Sequence, residues 1–491
     1  MNQANILKNS FKRQQILSSR LYLSKRSFGA ASKTLKPTMV ASIPSATHPF
    51  NNQLLDKEET EKLSQLKAPL PDAFLSKIPK RDLLSLFLIG CCSLNKPILD
   101  LVIKIFPIVP LPLIKYFIYN LYCGGENFKE VLETGAKLQS TGVNNMMLSL
   151  TIEDSEGTKN IDINYIVDET IKSIEGILKP HLLKQLDAIV ASGKSNINDI
   201  PPGYIALKPS ALVKDPFNTL LNYDINSPNE HWKKQSLDLF NNCAKITQVI
   251  RDLNEELSKQ YPDRKTPFFV STIDAEKYDL QKNGVYKLQT QLFKKFNKVT
   301  DKHISVIGTW QLYLKDSQKD LLDDFKAAEK DGSYKIGCKL VRGAYIHSEA
   351  KRDQIIYENQ KGTDENYNST LAIVANDLLA NKDSKFGHLV VASHNYNSQL
   401  IISAKLAAAK KTGAEGQYKI VLGQLLGMAD NVTDDLVHNH GVKNIIKYVP
   451  WSTDSYETKD YLLRRLQENG DAVRSDNGLP LLKAIFRSLK L

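Results

Sequence analysis

From Asn145 to Val449 the chain alternates, eight times over, between a short apolar run and a longer stretch with helical spacing. The runs expected as strands are Asn145–Ile152, Tyr204–Leu207, Phe268–Ile273, Ser305–Trp310, Ile336–Val341, Leu389–Ser393, Ile420–Gln424 and Ile445–Val449. Helical patterns lie between them, among them Tyr165–Ala191, Leu237–Lys259, Leu321–Lys330, Asn366–Leu379 and Asn397–Thr412. Continuously apolar strands linked by helices make a parallel sheet covered on both faces. Eight such repeats over roughly 330 residues predict an α/β fold, a distorted (β/α)8 barrel of the TIM type. The competing open, doubly wound sheet lacks support, since no GxGxxG follows any of the strands.

A barrel carries its chemistry at the C-terminal ends of the strands. Polar groups gather there in this sequence. They are Lys208 after the second strand, Asp274 and Glu276 after the third, and Gln311 and Tyr313 after the fourth. Arg342-Gly343-Ala344-Tyr345 follow the fifth, Ser393-His394-Asn395 the sixth, Gln424 and Gly427-Met428 the seventh, and Tyr448 closes the eighth. Pro450 is expected to break that last strand. A helix then starts near Ser452 or Thr453 and stops at Asn469-Gly470. Tyr461, Arg464, Arg465 and Glu468 share one face of it by their i, i+3, i+4, i+7 spacing. Two adjacent guanidinium groups suit a carboxylate-bearing substrate, because the planar fork pairs a carboxylate bidentately. The plainer reading of the same face is a solvated helix laced by an Arg–Glu pair.

The net charge of +11 suggests a nucleic-acid partner until it is located. Residues 1–55 hold eight Lys/Arg and no acid, so only +3 belongs to the rest of the chain. That leader is rich in Ser, Arg, Lys and Gln without a continuous apolar run, which predicts a mitochondrial transit peptide over 1–40. No basic stripe remains for nucleic acid. The five cysteines are few and unpatterned, which fits a reducing compartment and no disulfide framework. Asp353, His388, His438 and His440 make no metal-ligand set.

Residues 41–123 are expected as a helical N-terminal region and 124–491 as the catalytic barrel. Within the first, residues 78–122 are strongly apolar but are cut by Pro97, Pro107, Pro110 and Pro112. No uncut piece reaches the length of a membrane span. Two readings fit: helices packed on the larger domain, or a surface that dips into a membrane interface.

The stretches IALKPSAL, STIDAEKYD, GTWQLYLK, KLVRGAYIHSEAKR, VVASHN, GQLLGM and YLLRRLQENG, in this order, resemble the proline dehydrogenase family in its mitochondrial, monofunctional form. The resemblance runs from about Gly124 to Val473. It implies an FAD enzyme that oxidises L-proline to 1-pyrroline-5-carboxylate, the first step of proline catabolism. It also implies a ubiquinone-type electron acceptor and peripheral contact with the mitochondrial inner membrane on the matrix side.

Carried over residue by residue, the resemblance implies that Arg464 and Arg465 clamp the proline carboxylate, with Lys208 as a third cation. Asp274 is expected to hold that cationic cluster, the competing reading being a helix N-cap within TIDAEKY. Tyr448 and Tyr461 are expected against the pyrrolidine ring, with Tyr448 disfavouring a 4-hydroxyl. For FAD, Gln311 and Lys339 are expected at the isoalloxazine edge, and Val341, Arg342, Gly343 and Ala344 beside the cofactor. Ser393, His394 and Asn395 would line pyrophosphate and ribose, Leu425 the adenine, and Glu468 the ribose hydroxyls. Bacterial members carry Arg at the Lys339 position and Trp at the Ile346 position, so this chain departs from them at both. The alternatives are a hydroxyproline dehydrogenase and a flavin-barrel oxidoreductase of the methylenetetrahydrofolate reductase type. A non-enzymatic barrel is a further rival, which would not need polar strand ends.

Overall fold

The computed structural model describes residues 53–69, 72–93, 96–152, 162–193, 195–346, 348–454, 457–463, 466 and 478–489. Eight parallel strands close into a barrel in sequence order: β1 Asn145–Leu150, β2 Gly203–Leu207, β3 Phe269–Ile273, β4 Val306–Gln311, β5 Ile336–Val341, β6 Phe386–Ala392, β7 Ile420–Leu425 and β8 Ile445–Trp451. Closure is made by β8 against β1, where Tyr448 lies beside Met147. Nearly every strand residue is buried, because helices cover the outside while side chains fill the inside. Each predicted strand is present, with ends shifted by a few residues.

The inward side chains stack in layers. Met147, Tyr204, Ala206, Val270, Ile307, Val390, Val421 and Ile446 form the apolar plug, with Tyr448 packed on top of it. The outward side chains join the helices in the larger core.

Pro450 does not break β8, contrary to the sequence reading. The strand continues to Trp451, with Pro450 paired in register with Ser149 of β1. The β7 pairing has ended by then, at Leu425 beside Tyr448. On that side the 124–125 loop takes over: Gly124 N donates to Pro450 O at 2.7 Å, and Ser452 N to Gly125 O. The missing proline N–H therefore falls where no ladder bond is demanded of it. The helix after β2 also departs from expectation. It starts at Glu230 rather than Leu237, since Asn229 Oδ1 accepts from the backbone of His231 (3.0 Å) and Trp232 (3.3 Å). That cap lets a polar first turn, without apolar periodicity, be helical.

Helices also lie outside the barrel layer, beginning with the short Lys57–Ser64 and Asp72–Leu75. After them come α1 Lys80–Ser93, α2 Lys96–Ile105 and α3 Leu111–Ile114, which continues through a wider turn over Lys115–Tyr119. Further on come α4 over 457–463 and α5 Gly478–Leu489. Phe106, Ile114, Tyr119 and Cys123 pack with Tyr461 and Leu462 of α4 in a cluster of their own. Lys459 of α4 donates to the carbonyls of Pro107 (2.7 Å) and Val109 (2.8 Å). Gly427 adopts φ +73° with its backbone against Leu121 O, where a Cβ would clash. The N-terminal region is thus fastened to both the β7 loop and α4.

Candidate active site

The inward positions at the C-terminal end of the barrel carry Ser149, Gln311, Lys339 and Tyr448 on β1, β4, β5 and β8, with Lys208 and Asp274 one residue past β2 and β3. Lys339 and Tyr448 meet on Asp274, and Ser149 is joined through Tyr448. Lys339 Nζ donates to Asp274 Oδ1, the Tyr448 hydroxyl donates to Oδ2 at 2.9 Å, and that hydroxyl also bonds Ser149 Oγ at 2.7 Å. The ammonium lies 5.8 Å from the Tyr448 ring centroid, so charge and ring face each other as well. The Lys339 side chain is 7% exposed and that of Asp274 16%, so this ion pair is only weakly screened by water. Asp274 is not a helix cap; the residue at that position before Tyr278 is Lys277. Lys208 is half-buried at the end of β2. The joint position of Asp274 and Lys339 follows from alternate strands of a closed barrel, β3 and β5, whose inward side chains share a layer, not from any local signal.

Gln311 is fully buried and braces the loops above it. Its amide nitrogen donates to Glu276 O at 2.9 Å, and its oxygen accepts Ala344 N at 3.1 Å. Glu276 in turn accepts Ser210 N at 3.0 Å, which ties the β3 loop to the β2 loop. Arg342 stands over the Tyr367 ring at 4.2 Å and donates to Asp364 (2.7 Å), to Ser393 and to Ser398 (3.0 Å). Its guanidinium fixes the β5 loop against the β6 loop. Ser393 Oγ also accepts Asn395 N at 3.0 Å, and Asn395 caps the helix Tyr396–Thr412 through Ser398 N. His394 Nε2 accepts Leu425 N at 3.0 Å, so its proton sits on Nδ1. Val341 and Leu425 end their strands beside these groups. Tyr461 is buried on α4 among Tyr119 and Phe106. Arg464, Arg465 and Glu468 lie outside the described residues.

Three polar positions around the strand ends escaped the sequence reading. Ser149 could have been found from its inward parity at the end of β1. Glu349 carried no such signal: it accepts Tyr278 N at 3.0 Å and the Tyr313 hydroxyl at 2.8 Å, and burial raises its carboxyl pKa. Lys447 faces outward from β8 and is buried, donating to Gln424 (2.9 Å), Met428 O (3.0 Å) and Asp430 (2.6 Å). Desolvation lowers its pKa, and its three acceptors clamp the loop after β7.

The backbone is strained on the same face. Among the described residues, the non-glycine ones with left-handed φ are Asp215, Lys351 and Ala429, in the loops after β2, β5 and β7. Gly343 lies flat against the Tyr313 ring, so a Cβ there would overlap it. Tyr313 cannot swing away, being buried and bonded to Glu349. Gly343→Ala is therefore expected to displace the β5 loop and cost about 1–3 kcal/mol of stability. Urea unfolding of the two proteins measures it; equal midpoints would show that the loop yields freely.

Beneath the apolar plug lies a second polar group, remote from the site. The Tyr204 hydroxyl bonds His388 Nε2 at 2.6 Å, and Arg264 donates to the carbonyls of Ile197 (2.5 Å), Ile200 (3.0 Å) and Pro267 (3.0 Å). Desolvation pushes His388 and His303 each down to about 3 and Arg264 down to about 9. A groove of about 580 Å³ between Gln185, Lys184 and Lys443 also opens away from the strand ends that carry the candidate site.

Comparison with known proteins points the same way as the motifs. The family model described as proline dehydrogenase matches residues 131–477. A probable mitochondrial proline dehydrogenase of Schizosaccharomyces pombe is 28% identical over 405 residues, covering 74% of this chain and 77% of that protein. A mitochondrial proline dehydrogenase 1 of Arabidopsis thaliana is 27% identical over 386 residues, covering 73% and 71%. A Bos taurus hydroxyproline dehydrogenase is 25% identical over 386 residues, covering 74% and 78%. Among solved structures, proline utilization A from Bdellovibrio bacteriovorus superposes with a TM-score of 0.52 at 18% identity, over 88% of this chain. The chain spans 43% of that larger protein, and the likeness is one of fold.

Proposed function

The chain belongs to the proline dehydrogenase family, and we propose that it oxidises L-proline to 1-pyrroline-5-carboxylate with FAD as cofactor and a ubiquinone-type acceptor. Its place would be the mitochondrial inner membrane, matrix side, reached by a transit peptide over residues 1–40. The relatives named as mitochondrial enzymes support that location. The observation that carries the reaction is the convergence of Lys339 and Tyr448 on Asp274 at the mouth of the barrel.

The donor set suits a flavin dinucleotide. Lys339 and Arg342 bring cationic groups to the strand ends, each now paired with a carboxylate, Asp274 and Asp364. Lys339 and Gln311 would hold the isoalloxazine edge, with Val341, Arg342, Gly343 and Ala344 along it. Ser393, His394, Asn395, Leu425 and Glu468 would hold the dinucleotide half. When bound, FAD supplies the two-electron acceptor.

The chain's own residues do the orienting. Arg464, Arg465 and Lys208 would pair the substrate carboxylate, which fixes the ring against the cofactor. Tyr448 and Tyr461 would press on the ring from the other side. Oxidation removes a hydride from C5 and a proton from the ring nitrogen, leaving the C5=N double bond. No side chain of the set stands out as a general base, so the proton leaves to water. The Tyr448 hydroxyl is tied to Asp274 and Ser149, so its bulk stays over the ring and favours proline over 4-hydroxyproline.

The test is the visible spectrum of the purified protein under anaerobic conditions. Its flavin band is expected to bleach on adding L-proline and not on adding NADH. Arg464→Ala and Arg465→Ala are expected to weaken proline binding by roughly a hundredfold while leaving FAD binding near its original value. A yellow protein untouched by proline would retain the flavin barrel and remove the substrate.

A further inference from the structure

We propose that the outer face of α1, α2 and α3 is a docking surface for an anionic lipid bilayer, lying in the headgroup plane; this rests on the reading that electrons leave to a lipid-borne quinone. Among the described residues, eight of the fifteen exposed large hydrophobic side chains fall between Leu84 and Tyr116. On α2, Ile98, Leu101 and Ile105 repeat at i, i+3 and i+7, exposed by 46%, 55% and 42%. Ile108, just beyond, is 78% exposed. On α1, Leu84 and Leu88 form a second exposed stripe, and Arg81 over the Tyr116 ring at 4.4 Å joins it to α3. The opposite faces are spent on the fold, with Leu83, Leu99 and Phe106 buried. An uncovered apolar face of this extent marks an interaction site.

Charge selects the occupant. Lys80, Arg81, Lys96 and Lys104 flank the apolar stripes. Of the two acids on α1 and α2, Asp82 is buried and paired with Lys137 at 3.2 Å, which leaves Asp100 as the exposed one. A second copy of the chain would bring like charges together on this face. An anionic leaflet neutralises them while taking the apolar side chains. Among the described residues no single helix is long and apolar enough to cross a bilayer, and α1 and α2 meet at a bend of 112°. That bend suits helices lying in the interface rather than a straight span.

The test uses the full chain and sedimentation with vesicles of phosphatidylcholine alone, or with roughly one fifth cardiolipin. Binding to the anionic vesicles is expected to exceed that to neutral ones by roughly tenfold and to weaken as salt rises. The variant Leu101→Glu/Ile105→Glu/Ile108→Glu is expected to lose binding to both, while proline oxidation with a soluble dye acceptor is unchanged. Lys96→Gln/Lys104→Gln is expected to lose only the anionic preference. Wild-type protein that stays in the supernatant, or a triple variant that binds as wild type, overturns the proposal. So does light scattering without lipid that shows a dimer abolished by the triple variant. Binding is read without turnover, so a protein that docks but leaves proline untouched counts against the proposed reaction and not against the surface.

Discussion

Lys339→Met is expected to abolish proline oxidation to within about 1% of the original turnover while costing about 3 kcal/mol of stability. Lys339 is the charge partner of Asp274 and sits across the barrel mouth from the Tyr448 ring. Removing it leaves a half-desolvated carboxylate with one remaining hydroxyl donor, and the tyrosine above it loses its fixed counter-charge. Lys339→Arg keeps the charge and is expected to retain activity within about tenfold, because the fork still reaches a carboxylate. The double variant Lys339→Met/Asp274→Leu separates the two effects. Its stability is expected to recover, since an apolar pair replaces an ion pair at little cost, but its activity is not. Turnover with a soluble acceptor and urea unfolding measure both quantities. A Lys339→Met enzyme with near-normal turnover would remove the ion pair from the chemistry.

The second large effect is on acid stability, and it arises far from the site. His388 and His303 are held neutral by burial, each with its pKa lowered from 6.5 to about 3. Between those values the unfolded chain binds more protons than the folded one. Their contribution is therefore complete above pH 6.5 and is lost as pH falls toward 3. Each group is expected to cost about 2 kcal/mol between pH 7 and pH 5. Asp324 acts in the opposite sense, since burial and the nearby Asp320 and Asp323 push it up to about 7. The diagnostic is therefore the difference between wild type and His388→Gln, whose amide oxygen can still accept from Tyr204. That difference is expected to change by about 2 kcal/mol from pH 7 to pH 5. Parallel stability curves for the two proteins would show that His388 does not carry the acid response.

The barrel was legible because buried parallel strands announce themselves as continuous apolar runs, and because strand ends then point to the site. Lys208, Asp274, Gln311 and Tyr448 could be named from that logic alone, whereas Lys339, inside its strand, came only with the family resemblance. What they touch could not. Asp274 and Lys339 are 65 residues apart and meet only because inward side chains from alternate strands share a layer. Gln311 reads as a site residue, yet both ends of its amide hold backbone of the surrounding loops. Arg342 likewise spends its guanidinium on Asp364, Ser393 and Ser398. Such bracing bonds have no signature in a sequence, since a polar residue at a strand end reads the same with or without them. Pro450 was misjudged for a related reason. A proline is a strand breaker only where its missing N–H is wanted, and that depends on how far the neighbouring strand runs.

Lys459 ties α4 to the carbonyls of Pro107 and Val109, and Tyr461 is embedded in the same cluster as Phe106 and Tyr119. A ring proposed to press on the substrate and a segment that faces outward thus share one rigid joint. Thermodynamic linkage then works in both directions. If occupation of the outer segment strengthens proline binding by some factor, proline must strengthen that occupation by the same factor. The enzyme's residence at its electron acceptor would then rise and fall with its substrate supply, with no separate sensor.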